Sequence, residues 1–111
     1  MKINIKPLSV NACWQGKRFK TKRYKAYELE MQYLLPKDYK VPLGRLKISI
    51  KVGFSSPLAD LDNIAKPLID ILQNKYGFND KKIFKAILEK EIVKKGNEYI
   101  DWKITKYNKT I

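Results

Sequence analysis

An α+β fold, a mixed sheet of about four strands with two main helices packed on it, is what this chain predicts from three observations. Leu46, Ile48, Ile50, Val52 and Phe54 alternate with polar or small residues, the period of a half-buried strand. Two segments, Thr21 to Leu35 and Asp62 to Asn74, carry helical spacing with recognisable start and stop signals. The elements interleave as strand, helix, strand, helix, strand, strand, an order that builds one sheet with helices against it. At 111 residues the chain is long enough for a single core and forms one domain over 1–111, with no internal repeat.

Each element has a local reason. Met1 to Lys6 alternates Ile3 and Ile5 with Lys2, Asn4 and Lys6 and reads as a short strand. Pro7, Ser9, Asn11 and Gly16 make 7–20 a long loop. Thr21 is a helix N-cap and Pro36 a stop, with Tyr24, Tyr27, Met31 and Leu34 or Leu35 as the apolar stripe. Ser55-Ser56-Pro57 ends the strand at Phe54, and Gly77 closes the second helix. Pro67 implies that this helix begins late or bends. Phe84 to Lys94 and Asn97 to Tyr107 read as two strands joined in a hairpin at Gly96-Asn97, the second burying Ile100, Trp102 and Ile104.

Composition narrows the function. Lys plus Arg number 24 against 11 Asp plus Glu, a formal charge of +13, which points to nucleic acid or an anionic surface. No apolar run approaches a membrane span and no signal-peptide core is present, so the cytoplasm is the default. With no histidine and only Cys13, His-based triads, His–Cys zinc sites and an intrachain disulfide are all ruled out. Any catalysis falls to Asp, Glu, Lys, Tyr or a metal.

Against that basic background, Asp60-Leu61-Asp62-Asn63-Ile64-Ala65-Lys66, with Asp70 and Asp80 beyond, stands out. Carboxylates gathered in a chain built for a polyanion suit a divalent cation held against a phosphate. On a helix, Leu61, Ile64, Leu68, Ile71 and Leu72 fall on one side, and Asp62, Lys66 and Asp70 lie within roughly 80° on the other. The plainer alternative makes Asp62 an N-cap and Lys66/Asp70 a solvated i, i+4 pair, leaving Asp60, Asn63 and Asp80 without a task.

These residues resemble the RusA family of Holliday junction resolvases, in the form seen in phage and Gram-positive members. Asp60-x-Asp62-Asn63-x-x-Lys66, a helix, and then Gly77-Phe78-x-Asp80-x-x-Ile83 follow the family pattern. Pro7-Leu8-Ser9-Val10-Asn11 is similar to the family's segment after its first strand. One departure is Asn79, where the family usually has the first of two adjacent acids. The resemblance implies that Asp60, Asp62 and Asp80 bind metal and are catalytic, with Lys66 as a basic catalytic partner. It also implies Mg²⁺, or Mn²⁺ in its place, and a branched, four-way DNA substrate cut by paired symmetric nicks. Symmetric nicks need two active sites, hence a homodimer. Asp70, about 12 Å along the helix axis from Asp62, is too distant to share its ion and is expected to orient Lys66, with Asn63 also supporting the ligands.

Lys17, Arg18, Lys20, Lys22, Arg23 and Lys25 are expected to contact DNA, with Phe19 and Tyr24 interleaved. Trp14 and Phe19 either stack on unpaired bases or form core or dimer contacts. Lys94, Lys95, Lys103, Lys106 and Lys109 set a general positive field. Two rivals remain open: a non-catalytic nucleic-acid-binding protein, and a metal nuclease acting on other branched or single-stranded DNA.

Overall fold

The structure, a computed structural model, describes residues 1–16 and 19–108. Lys17, Arg18 and Lys109 of the expected basic surface lie outside the described residues. The chain runs β1 (Lys2–Ile3), a 3₁₀ turn (Val10–Ala12), β2 (Trp14–Gln15), β3 (Phe19–Lys20), α1 (Lys22–Leu34), β4 (Leu46–Phe54) and α2 (Asp62–Tyr76). A second 3₁₀ turn (Asp80–Lys82), β5 (Ile83–Ile92) and β6 (Tyr99–Lys106) complete it. The main sheet has the order β1-β6-β4-β5, so the α+β class and the β-α-β-α-β-β succession of the main elements both hold.

Strand β4 is the axis of this sheet. It pairs antiparallel with β6 on one side and parallel with β5 on the other. Its even-numbered residues, from Leu46 to Phe54, are buried with Ile100, Trp102 and Ile104 of β6 against both helices. Helix α2 contributes Ile64, Leu68, Ile71 and Leu72 to that core, and α1 contributes Tyr24, Tyr27 and Met31. The structure chooses Leu35, buried, over Leu34, exposed, as the last residue of the α1 stripe.

Three expectations are corrected. The hairpin between the last two strands does not form, because β4 lies between β5 and β6. Two-residue hairpins favour Asn-Gly; here the order is Gly-Asn, and residues 93–98 are long enough to step over the end of β4. The Val93 N–H donates to the Phe54 carbonyl at 2.7 Å, fastening that step. The segment read as loop contains the β2/β3 ribbon, with Trp14 opposite Lys20. Pro67 does not delay α2, which starts at Asp62, runs through Pro67 to Tyr76 and is capped by Gly77, held left-handed at φ 71°. Burial of Pro67 with Leu68 on the core side outweighs the lost hydrogen bond.

The short β1 leaves the lower part of β6 without a neighbour. Tyr39 fills that gap: its hydroxyl donates to the Ile104 carbonyl (2.9 Å) and accepts from the Ile104 N–H (3.1 Å). Its ring packs edge-on against Trp102 at 4.7 Å. On the other face of the sheet, Tyr99 lies across Gly53, its cross-strand partner, and its hydroxyl reaches Glu91 of β5 at 3.2 Å.

A Cβ at Gly53 would enter the Tyr99 ring. Gly53→Ala should therefore cost about 1–3 kcal/mol by overpacking, seen as a lower urea midpoint. Adding Tyr99→Ala should recover part of that loss in a double-mutant cycle.

Candidate nuclease site

Helix α2 connects two parallel neighbours, so it must run back along the sheet, antiparallel to both. That direction fixes the site. Asp60 lies in the loop entering α2 and Asp62 is its first residue, and both are exposed. The residue at the cap position is Leu61, which makes no side-chain cap bond, so the N-cap alternative for Asp62 does not hold. The Asn63 amide donates to Asp60 Oδ2 at 3.4 Å, tying the loop carboxylate to the helix start. One turn on, Lys66 Nζ pairs with Asp70 Oδ1 at 3.1 Å, the expected i, i+4 contact.

Asp80 stands apart. It opens the 3₁₀ turn before β5, half-buried, and its backbone N–H donates to Gln73 Oε1 at 2.8 Å near the far end of α2. The 15 residues of α2 span about 22 Å at about 1.5 Å per residue, and Asp62 and Asp80 flank opposite ends. A divalent ion needs its oxygens within about 2.0–2.6 Å, so one chain cannot place Asp80 with Asp60 and Asp62 on a single ion. Among the described residues no group of three or more acidic or cysteine side chains is close enough to hold a metal. Asp60 and Asp62 alone, one residue apart and open to solvent, fit as hard oxygen donors.

The acidic end of α2 has basic company. Lys75 Nζ donates to the Gln32 carbonyl and Tyr76 donates to the Pro36 carbonyl, so the C-terminal ends of α1 and α2 lie together. The helices run the same way, and their N-termini share the opposite end. There Thr21 caps α1, accepting from the Tyr24 N–H and donating to the Ala12 carbonyl at 2.6 Å. A cavity of about 300 Å³ opens at this end, lined by Lys6, Ser9, Arg23, Ser55, Ser56 and Ile64 among others. The first turn of α1 holds no acid, so the helix dipole and its cations add positive potential here, set against Glu98, which also lines the cavity and faces Lys6.

The 3₁₀ turn Val10–Ala12 packs beside α2. Burial pushes the Tyr24 hydroxyl up to about 12, with the charges of Glu28 and Asp70 adding to it. Cys13 is buried, and burial likewise raises its thiol, helped by the same two carboxylates. Of the expected DNA contacts, Lys20 is held by Glu28 at 2.8 Å and lies over the Tyr24 ring, while Lys22, Arg23 and Lys25 belong to the first turns of α1. Trp14 packs edge-on against Tyr24 at 5.7 Å, and Phe19 projects 71% exposed, outside the core. Sequence reasoning read Lys6 as the end of a strand, Ser9 as part of a family-like segment and Ser55 and Ser56 as a strand stop, and had no signal that brings them together around one cavity.

No helix among the described residues is long and apolar enough to cross a membrane. The family model of endodeoxyribonuclease RusA matches residues 8–103, nearly the whole chain, so the chain belongs to that family. No curated protein matches this chain.

If the cavity takes a DNA phosphate, Lys6→Ala and Arg23→Ala should each weaken DNA binding and flatten the plot of log K against log salt by up to about 0.9. Fluorescence anisotropy across a salt series reads this directly. An unchanged slope would remove both side chains from the DNA path.

Proposed function

We propose that this RusA-family endodeoxyribonuclease is a Mg²⁺-dependent resolvase of four-way DNA junctions, acting in the cytoplasm as a homodimer that makes paired nicks. The observation carrying this reading is the meeting of unlike groups at one end of the molecule. Asp60 and Asp62 lie on the same end as Lys66 and a cavity of about 300 Å³ lined by Lys6 and Arg23 together with Glu98. Nucleic-acid binding alone would gain nothing from two exposed carboxylates amid cations. A phosphodiesterase does, because acids and cations face the same phosphate from different sides.

The roles follow from placement. Lys6 and Arg23 hold the backbone, and Lys66, one turn into α2, lies where negative charge develops on the reacting phosphoryl group. Asp70 holds the Lys66 ammonium by its 3.1 Å contact, acting through that lysine. The chemistry expected of Mg²⁺, or Mn²⁺, beside Asp60 and Asp62 is charge neutralisation and a water of lowered pKa. Exposed Phe19 suits stacking on an unpaired base at a branch point.

The deciding experiment is metal-dependent cleavage of a synthetic four-way junction compared with linear duplex and with flap or single-stranded DNA. Selective, paired incision of the junction supports the reading. Binding without cleavage at any metal concentration would make the protein a non-catalytic binder, and preference for another branched form would reassign the substrate.

Asp60→Asn and Asp62→Asn should each abolish cleavage and leave junction binding intact or tighter, since a negative charge near phosphate is lost, and Asp80→Asn, at the other end of α2, should do so where the homodimer brings it to that phosphate. Retained nicking would remove that residue from the site.

Lys66→Ala should lower turnover about 10²–10³-fold with little effect on binding, by analogy with loss of one preorganised donor. Asp70→Asn should retain partial activity that extra Mg²⁺ does not restore. Full loss restored by high Mg²⁺ would make Asp70 a ligand.

A further inference from the structure

Both helices pack on the even-numbered side of β4, so the odd-numbered side of the sheet is covered by neither. Register arranges that open face in rows of three, running from β5 through β4 to β6. The first row is Phe84, Arg45 and Tyr107, and the next two carry Lys85, Lys47 and Lys103 as their charged members. The two rows beyond hold Glu89, Glu91 and Asp101. Along β5 as a whole the charges balance, yet across the open face they are segregated by end. At the acidic end the carboxylates are already engaged. Lys51 reaches Glu89 at 3.4 Å and Glu91 at 3.7 Å, and Asp101 meets the N-terminal ammonium at 3.1 Å. Among the described residues no acid stands in the first three rows, so four cations share that end with no carboxylate between them.

A break in register puts an aromatic ring among those cations. Leu46 lies opposite Ile83 and Lys47 opposite Lys85, so Phe84 is an extra residue on β5. Such a bulge re-aims a side chain. Ile83 keeps to the core side, while Phe84 turns to Tyr107, their ring centroids 5.8 Å apart and their planes at 28°. The Arg45 guanidinium lies over the same ring, 4.7 Å from its centroid. Three planar groups from three strands thus form one stack, with Phe84 54% exposed and Ile87, further along the face, 43% exposed. We infer that this end of the open face is a platform for single-stranded nucleic acid. Arg45, Lys47, Lys85 and Lys103 take the phosphates, and an unpaired base extends the stack of Phe84, Tyr107 and Arg45.

The mixture of residues selects the occupant. Cations alone would serve a duplex, which keeps the π-faces of its bases inside its own stack. The exposed rings and Ile87 gain a partner only where bases are unpaired. Three rows set two residues apart, across three strands, measure about 13 Å by about 10 Å, room for a few nucleotides. The platform is also separate from the site described above. It lies on the side of the sheet away from the helices, at the start of β4, whereas the cavity is lined by Phe54 at the end of that strand. None of the carboxylates takes part and no metal is needed, so the platform does not rest on the nuclease reading.

Fluorescence anisotropy in EDTA, with a labelled thymidine homopolymer of about 12 nucleotides and a linear duplex for comparison, tests this. Phe84→Leu should weaken homopolymer binding roughly 5–100-fold, the loss of one stacked base, and change duplex binding less than about twofold. Phe84→Tyr should bind as wild type does, which separates stacking from any effect of the substitution on folding. Lys47→Gln and Lys85→Gln should each flatten the plot of log K against log salt by up to about 0.7, the single-strand value for one phosphate. With 5-iodouridine in the homopolymer, irradiation should crosslink Phe84 or Tyr107, located by peptide mass spectrometry. Crosslinks confined to Trp14 and Phe19, or a Phe84→Leu protein that binds the homopolymer normally, would overturn the platform. Equal losses on homopolymer and duplex would reduce the face to a general cationic patch and overturn it as well. So would release of the two lysine variants from phosphatidylserine vesicles with homopolymer binding unchanged, which would give the face to a lipid surface.

Discussion

The parallel pairing of β4 with β5 is the constraint on which the rest of the structure depends. Two parallel neighbours cannot be joined by a turn; the chain must travel back the length of the sheet before starting again. Helix α2 makes that journey, and its apolar side, Ile64 to Leu72, closes the core over β4. Everything in the motif is distributed by this one connection. Asp60 and Asp62 enter at one end, Lys66 and Asp70 ride along the solvent side, and Asp80 emerges at the other end beside Gln73. An antiparallel arrangement of β4 and β5 would have kept all three carboxylates near one turn. The fold instead separates them, with Asp60 and Asp62 at one end of α2 and Asp80 at the other.

Packing both helices on the same side and in the same direction has an electrostatic consequence. Each helix N-terminus carries partial positive charge, and here two of them share an end with Lys6 and Arg23. Acids are tolerable in that field and in fact reduce its self-repulsion, so Asp60 and Asp62 need no internal ion pair to be stable there. Lys66 is different, since it is paired with Asp70 along an exposed helix flank. Such a pair adds little stability. Its value lies in limiting where a flexible ammonium can go, at the flank facing the acidic end.

Much of this was legible from residue order, and the failures share one cause. Thr21 and Pro36 bound α1, Gly77 closes α2, and the alternation from Leu46 to Phe54 appears as β4, because each signal acts within a few residues of itself. The i, i+4 geometry of Lys66 and Asp70 was equally local. Partner choice between strands was not: both outer segments read as strands, but only the core decides that β4 lies between them. The β2/β3 ribbon was hidden in polar, glycine-containing sequence, held by Thr21 bonding back to Ala12 and Cys13. The family resemblance implies a common metal role for Asp60, Asp62 and Asp80, but nearness along the chain says nothing about which end of a long helix a residue occupies. The cavity residues Lys6, Ser55 and Ser56 come from three-dimensional convergence alone.

A chain of charge +13 should resist its own association, so the exposed edge of β5 must be weighed against that repulsion. At physiological salt the Debye length is about 8 Å, which confines the repulsion to charges near the contact. Near β5 the charge is locally balanced, with Lys85 and Lys90 beside Glu89 and Glu91, and Lys51 already shared between the two glutamates. The surplus of cations lies elsewhere, including the first turns of α1 and the tail of β6. Edge strands that must stay single usually place lysines outward on an otherwise polar strand. Here the lysine on the apolar side is folded back onto Pro57 and Ala59, and the positions left open are Phe84, Leu88 and Ile92. Charge is balanced along this edge, and the surplus of cations is concentrated at the first turns of α1 and the tail of β6.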